Sequence, residues 1–148
     1  MPSKGPDKIK PKVLGDYLEV MTKAVFQAGM SWRVIEAKWD GFREAFVGFD
    51  ADKVARFTPD DVDRLAQDTR IVRNRRKIQA TVDNAVEMVE LDREYKGFRN
   101  FLRSHGSFEE TVADLKGHFG FLGDMGSYYF LHVVGEKVPS HEEWMASR

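Results

Sequence analysis

Apolar residues recur at steps of three and four through most of this 148-residue chain, the spacing of one buried face of an α-helix. The first such segment ends at Gly29, a residue that suits the left-handed position after a helix. Ser31 follows and is predicted to cap a second helix, which presents Trp32. The apolar face of the first helix consists of Tyr17, Leu18, Met21, Ala24, Val25 and Ala28.

Helix-start signals divide the rest of the chain into further short helices. Thr58 is followed by Pro59 and two acids, which favours a helix start because acids face its positive end. A longer helix is predicted from about Asn74. No segment alternates as a strand would, so we predict one all-α domain of about eight short helices over residues 13–148, after a disordered basic tail over residues 1–12. The other predicted caps are Asp50, Ser107 and Ser140.

Composition narrows the chemistry. The chain has no cysteine, which excludes disulfides, thiolate nucleophiles and cysteine-bearing zinc sites. Its four histidines lack paired metal-ligand spacing, so we predict no metal and no cofactor. No apolar run has membrane-spanning length. The net charge is −1, so any contact with nucleic acid must come from a local basic patch.

Three places carry candidate chemistry. Trp32 lies between two helix ends and is either a core anchor or a stacking wall for a planar ligand. Arg73, Arg75 and Arg76 cluster at a helix start, together with Lys77. There they could hold a phosphate with the free N–H groups, or form a solvated face paired with upstream acids. Those acids are Asp61, Asp63 and Asp68. The third place is a glycine-punctuated turn over residues 119–126, whose backbone N–H groups could approach a phosphate.

Several segments, in order, resemble the DNA-3-methyladenine glycosylase I family. The similarity runs from about Tyr17 to Gly135 and is most specific over residues 27–85. It implies a helix-hairpin-helix glycosylase fold and an enzyme that flips a damaged purine out of duplex DNA and hydrolyses its N-glycosidic bond without a metal-activated water. The matching segments are Gln27 to Arg33, Phe42 to Phe46, Phe49-Asp50, Lys53 to Ala55, Asp60 to Val62, Arg64-Leu65, Ile71 to Arg75, Lys77-Ile78, Asn84-Ala85 and Phe121 to Gly123, then Tyr128 and Phe130.

The resemblance also implies roles for residues. Trp32 matches the family's stacking tryptophan, and Gln27 belongs to the same motif. Tyr17 or Tyr129 would form the second wall of the base-binding pocket. Tyr129 takes the place of a small pocket residue. The hairpin and the cations would hold the DNA backbone through Gly120, Gly123, Asp124, Gly126, Arg73, Arg75 and Arg76.

The chain departs from the family where the base is recognised. Ala24 stands where the family has a base-binding glutamate, and both the family's N-terminal aromatic signature and its two cysteine and two histidine zinc ligands are missing. His141 lies near one ligand position. The catalytic residue is therefore unassigned. Glu19 matches an acidic family position, although the helical wheel turns it to the solvated side. Glu142 lies near the superfamily's catalytic aspartate, or is an ordinary first-turn acid.

These features predict a monomeric, cytoplasmic base-excision repair enzyme that acts on double-stranded DNA with an alkylated base. The first alternative is a catalytically impaired homologue that binds DNA or a nucleobase. The second is a helical domain with a different small-molecule pocket.

Overall fold

A computed structural model describes residues 7–147. This part of the chain contains ten α-helices, one 3-10 turn and no strand, which confirms the all-α prediction. The helices exceed the predicted eight because segments of only five to seven residues form separate helices. Their bounds are α1 Leu14–Gln27, α2 Trp32–Ala37, α3 Trp39–Ala45, α4 Ala51–Ala55, α5 Pro59–Leu65, α6 Arg75–Tyr95, α7 Phe98–Leu102, α8 Phe108–His118, α9 Asp124–Val133 and α10 His141–Ala146, with the 3-10 turn at Val47–Phe49.

Most of the predicted helix boundaries are confirmed. Gly29 has a φ of +75° after α1, as expected. Ser31 is the exception, because its side chain accepts no capping hydrogen bond. The short α2 is instead held by the backbone bond from Ile35 N–H to Ser31 O and by the burial of Ile35. The side chains that do accept a backbone N–H at a helix start belong to Asp50, Thr58, Asn74, Ser107 and Ser140.

Helix α1 is central and packs against both α6 and α9. Its Phe26 meets Phe42 edge to face, with ring centroids 4.7 Å apart. Phe42 in turn belongs to a series of stacked rings with Trp39 and Phe46. Burial of these large rings supplies the main stabilising term of the fold, because stability gained from burial scales with apolar area.

Two buried polar side chains of α6 hydrogen-bond to the backbone of other segments. Lys77, expected among the solvated or phosphate-binding cations, is only 5% exposed. Its ammonium donates to the carbonyls of Phe26 and Ala28 and so satisfies the free end of α1, while burial lowers its pKa. Asn84 accepts the Gly120 N–H at 2.9 Å and donates to the Gly120 carbonyl at 3.2 Å.

The predicted N-terminal tail falls partly outside the described residues, which begin at Asp7. Within the described part, the Ile9 N–H donates to the Val133 carbonyl at 2.8 Å. This stretch therefore lies along α9 rather than away from the domain. Over residues 7–147, no helix is both long enough and apolar enough to cross a bilayer.

Candidate functional site

A cavity of about 350 Å³ opens beside Trp32. The indole is 41% exposed, so the core-anchor interpretation is wrong. The reason is local: α2 spans only six residues and buries Ile35 alone, which leaves Trp32 at the surface of the cavity. The cavity is lined by Asp7, Ile9, Glu19, Val20, Lys23, Trp32, Glu36, Arg43, Tyr129 and Val133.

A positive charge already lies against the aromatic rings of this site. The Lys23 ammonium is 5.6 Å from the centroid of the Trp32 ring and 5.1 Å from that of Trp39. Indole faces attract cations through the negative potential above the ring. The indole face is therefore a stacking surface for a planar group, and a cationic ligand there would have to displace Lys23.

Glu19 is placed differently from the sequence prediction. Its Oε2 accepts hydrogen bonds from Trp39 Nε1 at 2.8 Å and from Arg43 Nε at 2.7 Å. The solvated interpretation of Glu19 is therefore wrong, because α3 covers the polar side of α1 at this point. The same hydrogen bond raises the pKa of the Arg43 guanidinium. A second lining carboxylate, Glu36, forms no ion pair within residues 7–147.

Tyr129 forms the wall opposite the indole. Its ring stands at 63° to that of Trp32, with the centroids 6.4 Å apart. Burial raises the pKa of the phenol, and the neighbouring Gln27 amide opposes that shift. The amide does not reach hydrogen-bond geometry, since Gln27 Nε2 is buried without a hydrogen-bond partner among the described residues. Gln27 itself lies outside the cavity lining.

Three other residues singled out in the sequence lie away from the cavity. Tyr17 is only 6% exposed and packs edge to face on Phe98 at 5.2 Å, so it is a core residue and not a wall. Ala24 is 4% exposed and faces Gly126 of α9. Glu142 is exposed in the first turn of α10, outside the lining.

The predicted hairpin and the cation segment meet at a groove of about 790 Å³ between α6 and residues 120–121. The Arg76 guanidinium lies 5.8 Å from the centroid of the Phe121 ring, which is 42% exposed. Arg75 instead pairs with Asp63, as the solvated-face alternative predicted.

The other residues proposed for the DNA backbone differ in their surroundings. Gly123 directly precedes α9, and a Cβ added there would meet no atom within 4 Å. Arg73 is exposed to solvent. Asp124 pairs with Lys116 at 2.8 Å. Gly126 is a packing position, because a Cβ there would lie 3.2 Å from Leu122 and 3.6 Å from Ala24.

Sequence reasoning missed most of the cavity: its lining residues Asp7, Ile9, Val20, Lys23, Glu36, Arg43 and Val133, and the neighbouring Trp39. Glu19 and Lys23 are four residues apart on α1, which signals an exposed pair on one helix face. Nothing in the sequence pattern indicates that α2 and α3 fold over that face. Only their packing turns a polar helix surface into a cavity wall.

A family model described as methyladenine glycosylase matches residues 15–120. The chain belongs to the methyladenine glycosylase family. The DNA-3-methyladenine glycosylase of Haemophilus influenzae is 30% identical over 130 residues, covering 74% of this chain and 70% of that protein. DNA-3-methyladenine glycosylase 1 of Escherichia coli K12 is 40% identical over 86 residues, or 58% of this chain and 46% of that protein.

Solved structures agree with the helical architecture. The 3-methyladenine DNA glycosylase I of Staphylococcus aureus superposes with a TM-score of 0.76 at 27% identity, covering 86% of this chain and 79% of that one. A solution structure of a 3-methyladenine DNA glycosylase I gives a TM-score of 0.72 at 25% identity, covering 93% of this chain and 88% of that one. That protein is described as having a novel mode of alkylated base recognition.

The zinc site implied by the family resemblance does not fit this chain. The ring of His141, near one of the family's ligand positions, stands edge-on to Tyr128 at 5.5 Å. Within residues 7–147, no three His, Asp or Glu side chains are grouped to hold a metal ion.

Proposed function

We propose that this protein is a DNA glycosylase of the 3-methyladenine type, which hydrolyses the N-glycosidic bond of alkylated purines during base-excision repair. The observation that carries the proposal is the exposed Trp32 indole on a cavity whose lining holds three carboxylates, Asp7, Glu19 and Glu36, against two cations, Lys23 and Arg43. A purine methylated at a ring nitrogen is positively charged while it is attached to the sugar. The Trp32 cavity suits such a group in both shape and charge.

In this mechanism the damaged nucleotide leaves the stack and its base lies against Trp32, because an enzyme cannot reach a glycosidic bond inside the duplex. The base departs as a neutral molecule, so the site needs charge stabilisation more than a strong acid. We assign that role to Glu19, whose Oε2 is bonded to Trp39 and Arg43 but whose Oε1 accepts no hydrogen bond from the described residues, with Glu36 at the rim. Glu19 would thus supply the carboxylate that is absent at Ala24.

We further propose that double-stranded DNA binds along the hairpin, with Arg73 and Arg76 and the N–H groups near Gly123 on its phosphates. Arg75 contributes less, because Asp63 already neutralises it. The enzyme would act as a monomer. Because its relatives are bacterial, a chromosomal substrate would place it in the cytoplasm.

A second candidate function, DNA binding without base release, is favoured by the packing of Ala24. This residue faces α9 through Gly126 and not the cavity. A glutamate side chain at position 24 would have to displace α9, so the family's usual carboxylate has no place here.

Release of methylated bases from duplex DNA at low salt and high enzyme concentration tests the proposal. Wild-type protein should release 3-methyladenine, and Glu19→Gln should slow release by at least about tenfold, since a lost hydrogen bond or charge contact to a charged group costs about 1.5–3 kcal/mol. Glu44→Gln is the matched control, because Glu44 pairs with Arg70 outside the cavity. Salt-dependent DNA binding with no base release would contradict the proposal and support the second candidate.

A further inference from the structure

A second cavity, of about 580 Å³, lies next to Tyr129. Tyr129 is the one described residue that lines both this cavity and the Trp32 cavity. The segment at residues 7–9 also runs between them: Asp7 and Ile9 line the Trp32 cavity and Lys8 lines the second. The remaining walls of the second cavity are largely apolar or aromatic and include Met125, Tyr128, Val138 and Pro139.

The Tyr129 ring is positioned to act as a partition. It stands edge-on to Trp32 and packs against the hydrophobic core, so neighbouring side chains hold it in place. A planar ligand stacked on the indole would meet this ring on the side towards the second cavity. The phenol stays neutral over the physiological pH range, because burial raises its pKa.

We propose that Tyr129 is the specificity-determining residue that limits the size of the alkyl group on the base, and that shortening its side chain joins the two cavities. This inference rests on the proposed function and names its substrate class: purines with small N-alkyl groups. Without the ring, an aromatic substituent such as a benzyl group would extend into the apolar second cavity. The aromatic ring itself is the barrier, so the hydroxyl is dispensable.

The test is equilibrium dialysis of the full chain with two free bases, 3-methyladenine and 3-benzyladenine. Wild type should favour the methyl compound by at least about tenfold, a difference of about 1.4 kcal/mol. Tyr129→Ala should bind the benzyl compound more tightly and move the ratio of the two affinities by at least tenfold. Tyr129→Phe should behave as wild type. Tyr95→Ala is the matched control, because Tyr95 lies outside both cavity linings.

An unchanged affinity ratio in folded Tyr129→Ala would overturn the proposal, as would a protein that binds neither base in any variant. If the alanine variant fails to fold, Tyr129→Leu keeps most of the packing and should shift the ratio in the same direction by a smaller factor. Base release from methylated DNA is measured in parallel. Size-selective binding of free bases without release would contradict the proposed enzyme activity and leave the role of Tyr129 supported.

Discussion

The Trp32 cavity and the hairpin surface are built in different ways. The cavity collects side chains from α1, α2, α3 and α9, and two of its charged residues, Arg43 and Glu19, form an ion pair. The hairpin is a continuous stretch of backbone, and the buried Asn84 side chain hydrogen-bonds to both polar groups of its Gly120.

This difference sets what each region requires of the sequence. A hairpin presents backbone groups, so its function needs only that its conformation be held. A cavity presents side chains, and each can be replaced without breaking the helices that carry it. Tyr129 is at such a position, because it lies on α9 and its side chain lines the cavity.

The largest expected effect is on base release, when the stacking face of Trp32 is removed without disturbing the fold. Trp32→Ala should reduce base release by about 10- to 100-fold, since stacking of a base on an aromatic ring is worth about 1–3 kcal/mol. The free energy of unfolding, measured by urea denaturation, should change little because the indole is 41% exposed. Trp32→Phe keeps a stacking face and is the control. Equal base release by wild type and Trp32→Ala would refute the stacking role.

A smaller effect is expected at the hairpin. Asn84→Ala removes both hydrogen bonds to the Gly120 backbone, and each such bond is worth about 0.5–1.5 kcal/mol of stability. Binding to duplex DNA, measured by fluorescence anisotropy, should weaken while free-base binding in the cavity is kept. Asn100→Ala is the control, because its amide donates to the carbonyls of Tyr95 and Lys96 at another site. A matching loss of free-base binding would mean that the two regions are not independent.

The smallest expected effect is on the salt dependence of DNA binding, which should differ between variants of the neighbouring Arg75 and Arg76. Arg76→Gln should remove about one phosphate contact. The slope of log DNA affinity against log salt concentration should then become shallower by roughly 0.9. Arg75→Gln should change it less, because Arg75 is already paired with Asp63. Binding titrations at several salt concentrations measure both slopes. Equal slopes for the two variants would remove Arg76 from the proposed DNA surface.

The sequence by itself determined the features that depend on near neighbours along the chain. The caps at Thr58, Ser107 and Ser140 are readable because a cap bonds to an amide three residues later. Gly29 is equally local, since its left-handed φ depends on the missing Cβ. The all-α class and the family resemblance follow from such short-range patterns.

Only the tertiary structure decided which side chains share the cavity. A helical wheel gives the direction of Glu19 relative to its own helix, but not that Trp39 and Arg43 fold over it from α3. For the same reason, the sequence did not show that Tyr17 is buried in the core. Nor did it show that Lys77 is buried and donates a hydrogen bond to a carbonyl at the end of α1. Contacts between residues far apart in sequence depend on how helices pack, and that packing is a property of the whole chain.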